Sequence, residues 1–283
     1  MAPARLQRWI AFMILVAALD RVRDARGEPL FLVKGGVAME LRFQLGARAT
    51  KDLDASFREP ADRLLERLDQ ALREPLHDFR FERSAPEGIG ETGALRLEVR
   101  VIYRDRVWQR VTVETALAEG GLFEAGEIER VRALDISDFG FDGPDYVACI
   151  PIRYQIAQKL HACTERFDTG PENGRFRDLI DLLLLRDLAS EADLGSVREA
   201  CVEIFALRGK HAWPPVLDAP DAWRDQYAAL ARDLDFEVGD VSEAGAQVRQ
   251  MISRIHQGRP VSGPAPRREH ASQRLGGAEA RRG

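Results

Sequence analysis

Residues 30–57 read LFLVKGGVAMELRFQLGARATKDLDASF, and the two ends of this stretch decide the fold. Residues 30–33 are a compact apolar run suited to a buried strand, and residues 51–57 read as a second strand. Asp52 and Asp54 stand two apart on that second strand, so their carboxylates share one face while Leu53 turns into the core. Two like charges side by side are unfavourable without a counter-charge. A bound divalent cation answers that repulsion, and magnesium (or manganese) takes such oxygen ligands. Two ions of this kind would polarise a triphosphate and activate an attacking hydroxyl. Gly35 and Gly36 break the first strand where it meets a short helix, expected over residues 38–45. Free N–H groups at such a junction form an anion site, and glycine lets a phosphate approach closely. A glycine pair alone is a plain turn, and an acid pair alone is a solvated strand end. Set sixteen residues apart, from Gly36 to Asp52 across one helix, they point together to phosphate chemistry.

Working outward, residues 9–19 (WIAFMILVAAL) are an apolar run preceded by Arg5 and Arg8. The run is too short to span a bilayer and lacks a clear small-residue cleavage site, so it is expected to be a buried helix rather than a signal peptide. Residues 61–72 place Leu64, Leu65, Leu68 and Leu72 at helical spacing. Strands are expected at 80–83, 94–103 and 108–117. In the last, Val111, Val113 and Thr115 alternate with Thr112, Glu114 and Ala116. Character changes near Pro151: helices are expected over 152–166, 176–188, 196–208, 222–234 and 241–256, with no strong strand among them. The pattern is α+β: a mixed sheet with flanking helices over residues 1–150, an all-helical part over 151–257, and a disordered Gly-, Pro- and Arg-rich tail over 258–283.

Composition narrows the chemistry. The 283 residues are 45% hydrophobic, enough for a buried core. Net charge is −5, and residues 258–283 hold six arginines and two glutamates, leaving about −9 on the rest. An acidic body argues against a general nucleic-acid coat, though not against RNA held at a local basic site. The three cysteines, Cys149, Cys163 and Cys201, are odd in number with no CxxC pair. That usage argues against a disulfide framework or zinc site and fits the cytoplasm. No GxGxxG follows Val33, Gly209-Lys210 is not a P-loop, and neither HExxH nor GxSxG occurs.

FLVKGGVAMELRFQLGARATKDLD resembles the opening motif of the nucleotidyltransferase superfamily. More narrowly it resembles the AbiEii/AbiGii toxin family. YQIAQKLHACTERF and NGRFRDLIDLLLL are similar to that family's Lys-bearing helix and Arg-Lys-Asp segment. FALRGKHAWPPVL with DAWRDQYAALA resembles its C-terminal helical region. The resemblance covers most of residues 28–235. It implies a transferase moving a nucleotide from a nucleoside triphosphate to an acceptor such as a tRNA 3′ end, restrained by an antitoxin protein. It implies Glu114, within RVTVETAL, as third carboxylate beside Asp52 and Asp54. It also implies Lys159 holding the triphosphate, Asp178 orienting Lys159 or a substrate amine, and Arg175 adding a phosphate contact. The sequence departs from the family at Gly36, where serine is common, at Glu114, where aspartate is common, and at Arg177, where lysine is.

Other residues have two readings. Lys34 helps hold phosphate or is a solvated strand end. Arg48 and Lys51 bind substrate phosphates or neutralise the acid pair. Glu98 competes with Glu114 for third carboxylate. His161 and His211 read as structural or solvent-facing, and Trp213 and Trp223 as packing residues. Alternatives to an RNA-directed toxin are a transferase of the same fold acting on a small molecule or protein, and an inactive nucleotide-binding partner protein.

Overall fold

The apolar run near the start forms α1 (Pro3–Leu19), whose residues from Ile10 onward are buried almost all round. A helix apolar on every side belongs inside a core, and α1 lies against the sheet beside α3. The protein is seen here as a computed structural model that describes residues 3–90, 93–123, 127–166, 173–189 and 194–258. The expected disordered tail lies outside the described residues beyond Gly258. After α1 come β1 (Phe31–Lys34), α2 (Gly35–Phe43), β2 (Asp52–Phe57) and α3 (Leu64–Arg73). Strands β3 (Phe79–Arg83), β4 (Glu87–Ile89), β5 (Ala94–Tyr103), β6 (Arg106–Leu117), β7 (Glu129–Arg132) and β8 (Tyr146–Cys149) follow. From residue 152 the described chain is helical: α4 (Ile152–Thr164), α5 (Phe176–Ala189), α6 (Leu194–Arg208), α7 (Arg224–Asp233) and α8 (Val241–His256).

One mixed sheet runs in the order β3-β5-β6-β2-β1-β8-β7, with β4 paired to β5. β1 and β8, and β2 and β6, are parallel; the other pairs are antiparallel. The pleat sorts side chains between two cores. Phe31, Val33, Leu53, Ala55, Val111 and Val113 pack with α1 and α3. Leu32 turns the other way, to the core built by α4 to α8. That second face is where Asp52, Asp54 and Glu114 project.

Two expectations need correction. The short helix begins at Gly35 and ends at Phe43, rather than spanning 38–45, so the glycines open the helix instead of preceding it. Residues 118–150, to which the sequence assigned no element, carry β7 and β8. Both are four-residue strands, and three of the four residues of β7 (ERVR) are charged, so neither has the apolar alternation that marks a strand. Among the described residues no helix is long and apolar enough to cross a membrane.

Candidate active site

Strand register builds the site. Lys34 on β1 stands opposite Asp54 on β2, Asp54 opposite Glu114 on β6, and Glu114 opposite Arg96 on β5. Four charged residues therefore lie in one row across four adjacent strands. Burial and the neighbouring Glu114 and Asp52 carboxylates, against the pull of Lys34 and Lys159, push the Asp54 carboxyl up to about 6. Burial pushes the Lys34 ammonium down, with Asp54 opposing. Asp52, half-buried, shares the Asp54 face, while Leu53 between them is fully buried in the opposite core. Glu114 is held aside by Arg96 at 2.6 Å.

Gly35 is required twice over. Its φ is +58°, a left-handed conformation, and a Cβ there would sit 1.9 Å from Asp54 Oδ2. The glycine thus lets the acid press against the start of α2, whose N-terminus has no side-chain cap. Uncapped N–H groups at that end are an anion site. Gln155 on α4 braces the turn, donating to the Gly35 carbonyl at 3.2 Å while its own oxygen accepts from Arg42 at 2.6 Å.

The helical half closes over this face. Gln155, Lys159 and Ala162 occupy one side of α4 by i, i+4, i+7 spacing, and all three line the cleft against the sheet. Lys159 is buried between two aspartates of α5, at 2.8 Å from Asp178 and 2.6 Å from Asp181. Burial works against its charge, but the two carboxylates outweigh it and its pKa is raised. Asp181, with no exposed surface, also receives Arg48 at 3.2 Å. Arg175 stands 3.9 Å from Asp178 at the exposed edge.

A cleft of about 280 Å³ results. Lys34, Gly35, Asp54 and Glu114 line it from the sheet, and Lys159, Asp178 and Arg175 from the helices. Four other residues singled out from the sequence do not line it. Asp52 stands at the start of β2, Lys51 is exposed just before it, Gly36 packs under Thr50, and Arg48 is engaged by Asp181. Glu98 lies one strand further out, exposed and paired with Arg110 at 2.6 Å. Among the described residues no three His, Cys, Asp or Glu side chains converge closely enough to hold a metal ion.

Sequence reasoning missed Asp181, Gln155, Gln158 and the Arg208–Glu119 pair. Asp181 carried a signal, a lone carboxylate inside the apolar run from Leu179 to Leu185. Arg208 on α6 lines the cleft and grips Glu119 through two bonds, of 2.7 and 2.8 Å. Its partner follows β6, and no spacing in the sequence joins them. His161 and His211 stack at 4.6 Å beside Phe205, and burial with the Arg208 charge lowers His161 to about 4. All three cysteines are free and buried.

A mixed sheet presenting an acid pair beside a glycine-opened helix, with a lysine-bearing helical half above it, defines a nucleotidyltransferase. The family model "Nucleotidyl transferase AbiEii toxin, Type IV TA system" matches residues 17–254, and the chain belongs to that family. JHP933 from Helicobacter pylori is similar in structure, with a TM-score of 0.52 at 19% identity over 91% of this chain and 94% of that one. MenT4, a nucleotidyltransferase toxin from Mycobacterium tuberculosis H37Rv, gives a TM-score of 0.48 at 16% identity, covering 89% and 92% of the two chains. No curated protein is similar enough to match.

Proposed function

We propose that this chain transfers a nucleotide from a nucleoside triphosphate to the 3′ end of an RNA, with tRNA the acceptor, and that a cognate antitoxin protein restrains it. One observation carries the reading: Asp54 and Glu114 on the sheet face Lys159 on the helices across a cleft that also holds the open start of α2. The triphosphate would lie against the N–H groups of Gly35 and Gly36, with Lys34, Lys159 and Arg175 supplying positive charge. Arg48 and Lys51 would act from the loop before β2, Arg48 through Asp181. Asp178 and Asp181 keep Lys159 charged and aimed into the cleft. The acceptor hydroxyl oxygen bonds to the α-phosphorus, the bond to the bridging oxygen breaks, and pyrophosphate leaves with that electron pair. Glu114 takes the hydroxyl proton.

A carboxylate-only donor set on one strand face suits a hard cation, and Asp52 and Asp54 stand two apart on that face. Magnesium or manganese would be held by Asp52 and Asp54, and Glu114 would join them only on leaving Arg96. The ion would supply charge neutralisation at the phosphates. Triphosphates and tRNA meet in the cytoplasm, and we place the chain there.

The test is incubation with each of the four α-labelled triphosphates, total tRNA and magnesium. Label on tRNA, lost in Asp52→Ala and in Glu114→Ala but kept in Glu98→Ala, supports the reading. Triphosphate binding without transfer supports an inactive partner protein. Label on a small molecule or on protein moves the acceptor to another class.

A further inference from the structure

The loop that delivers the acid pair is held at one residue. Thr50 is 6% exposed and is fixed through its amide, its carbonyl and its hydroxyl. The amide donates to Glu40 Oε1 at 2.6 Å, the carbonyl accepts from Arg8 Nη1 at 3.0 Å, and the hydroxyl donates to the Asp52 carbonyl at 3.2 Å. Its side chain fills the space above Gly36. A Cβ on Gly36 would stand 2.5 Å from Thr50 Cβ and 2.7 Å from Oγ1. Thr50 is β-branched and its Cβ is one bond from the backbone, so it cannot swing away.

Glu40 completes the arrangement. It sits on α2, is 2% exposed, and accepts from Trp9 Nε1 and from Arg5 Nη2 at 3.4 Å as well as from Thr50. Arg5 also donates to the carbonyls of Gln44 and Ala47, at 3.3 and 3.1 Å. The first turns of α1 thus hold the whole segment between α2 and β2. Arg5, Arg8 and Trp9 lie before residues 17–254, the stretch that the family model matches.

We infer that Thr50, clamped by Glu40 and by Arg8 of α1, is the positioning residue that fixes the Gly35–Gly36 turn against Asp52 and Asp54. The inference rests on the reading of those acids and glycines as the transferase site. It explains why residue 36 is glycine here: any side chain would need the volume that Thr50 occupies. A Cβ at residue 36 would meet the Cβ, Oγ1 and Cγ2 of Thr50, so the two residues compete for one volume, which is transferable. Removing it from residue 50 makes room for it at residue 36.

The test uses Gly36→Ser, Thr50→Gly, their combination, Thr50→Ser and Glu40→Gln in the full chain. Melting, amide exchange at Gly35 and Asp52, and transfer kinetics are read on each protein. Gly36→Ser is expected to lower the melting temperature by about 5 °C or more and kcat about tenfold or more. The combined variant recovers at least half of both losses, and Thr50→Ser stays close to the wild type. Glu40→Gln speeds exchange at Asp52 and lowers kcat with little change in KM, since it touches no nucleotide contact. Gly36→Ser behaving as wild type, or a combined variant no better than Gly36→Ser, overturns the inference. If the wild type transfers no nucleotide, the function reading fails separately. Exchange and melting then still decide the clamp: faster exchange in Gly36→Ser, reversed in the combined variant, upholds it, and unchanged exchange overturns it.

Discussion

Asp54 has uneven neighbours: Lys34 across one strand boundary, Glu114 across the other, and Asp52 two residues along. Burial is the main cause that places its carboxyl at about 6, with Glu114 and Asp52 adding to it and Lys34 and Lys159 opposing it. A raised carboxyl pKa means that the folded chain binds this proton more tightly than the unfolded chain does. Ionising Asp54 therefore costs native stability as pH rises from about 4 to about 6, and the cost persists above that. Asp54→Asn is expected to abolish transfer and yet stabilise the fold at pH 7.5 by roughly 1–3 kcal/mol, discounted for partial exposure. Urea melts at pH 7.5 and pH 4 check this. The gain should shrink towards zero at the lower pH, because the wild-type carboxyl is then protonated. An Asn variant less stable than wild type at pH 7.5 would show that Asp54 holds the strand together rather than straining it.

At the scale of elements, α4 and α5 are joined by Lys159 between Asp178 and Asp181. Removing a buried cation leaves two carboxylates facing each other without water, although Arg48 still serves Asp181. Lys159→Met is expected to cost roughly 2–4 kcal/mol. Lys159→Met with Asp178→Asn and Asp181→Asn should cost less, with transfer still lost; denaturant melts of the two variants decide it. Equal stability of Lys159→Met and wild type would mean that the pair contributes nothing. The stripe on α4 allowed Lys159 to face a neighbouring element or to reach water, and it was the family resemblance that assigned Lys159 and Asp178 to the site. The acid pair was legible from its period of two, and Gly35 from the chemistry of a strand-to-helix turn. Asp181 stood out as a lone carboxylate in a leucine run, but its partner is supplied only by the packing of α4 on α5. Arg208 and Glu119 are 89 residues apart and meet only when α6 folds onto the turn that follows β6. β7 and β8 escaped because four-residue strands at a sheet margin owe their pairing to neighbours rather than to their own pattern.

Across the whole molecule, the helical half is tied to the sheet half by charged bonds around the cleft. Arg48 from the loop before β2 meets Asp181 of α5, and Glu119 after β6 meets Arg208 of α6. For both carboxylates burial opposes ionisation and the facing cations outweigh it, so both pKa values lie below the usual carboxylate range. A depressed acid contributes stability that is present above its unfolded pKa of about 4 and is lost as pH falls through the folded value. His161, beside Arg208, adds a second window. Burial and the Arg208 charge lower it to about 4, so below its unfolded value of about 6.5 the unfolded chain takes up a proton that the folded chain refuses. Stability at this junction should therefore begin to fall below about pH 6.5 and fall again below about pH 4. Hydrogen exchange at pH 7, 5 and 3 is expected to show α5 and α6 losing protection before the centre of β2 and β6 does. His161→Gln should lessen the loss between pH 6.5 and 4, with His211, also lowered by burial, carrying the remainder, and should leave the lower one, since it keeps Asp181 and Glu119. Loss of protection at one pH across sheet and helices alike would mean that the halves unfold as a single unit and that these bonds do not govern their separation.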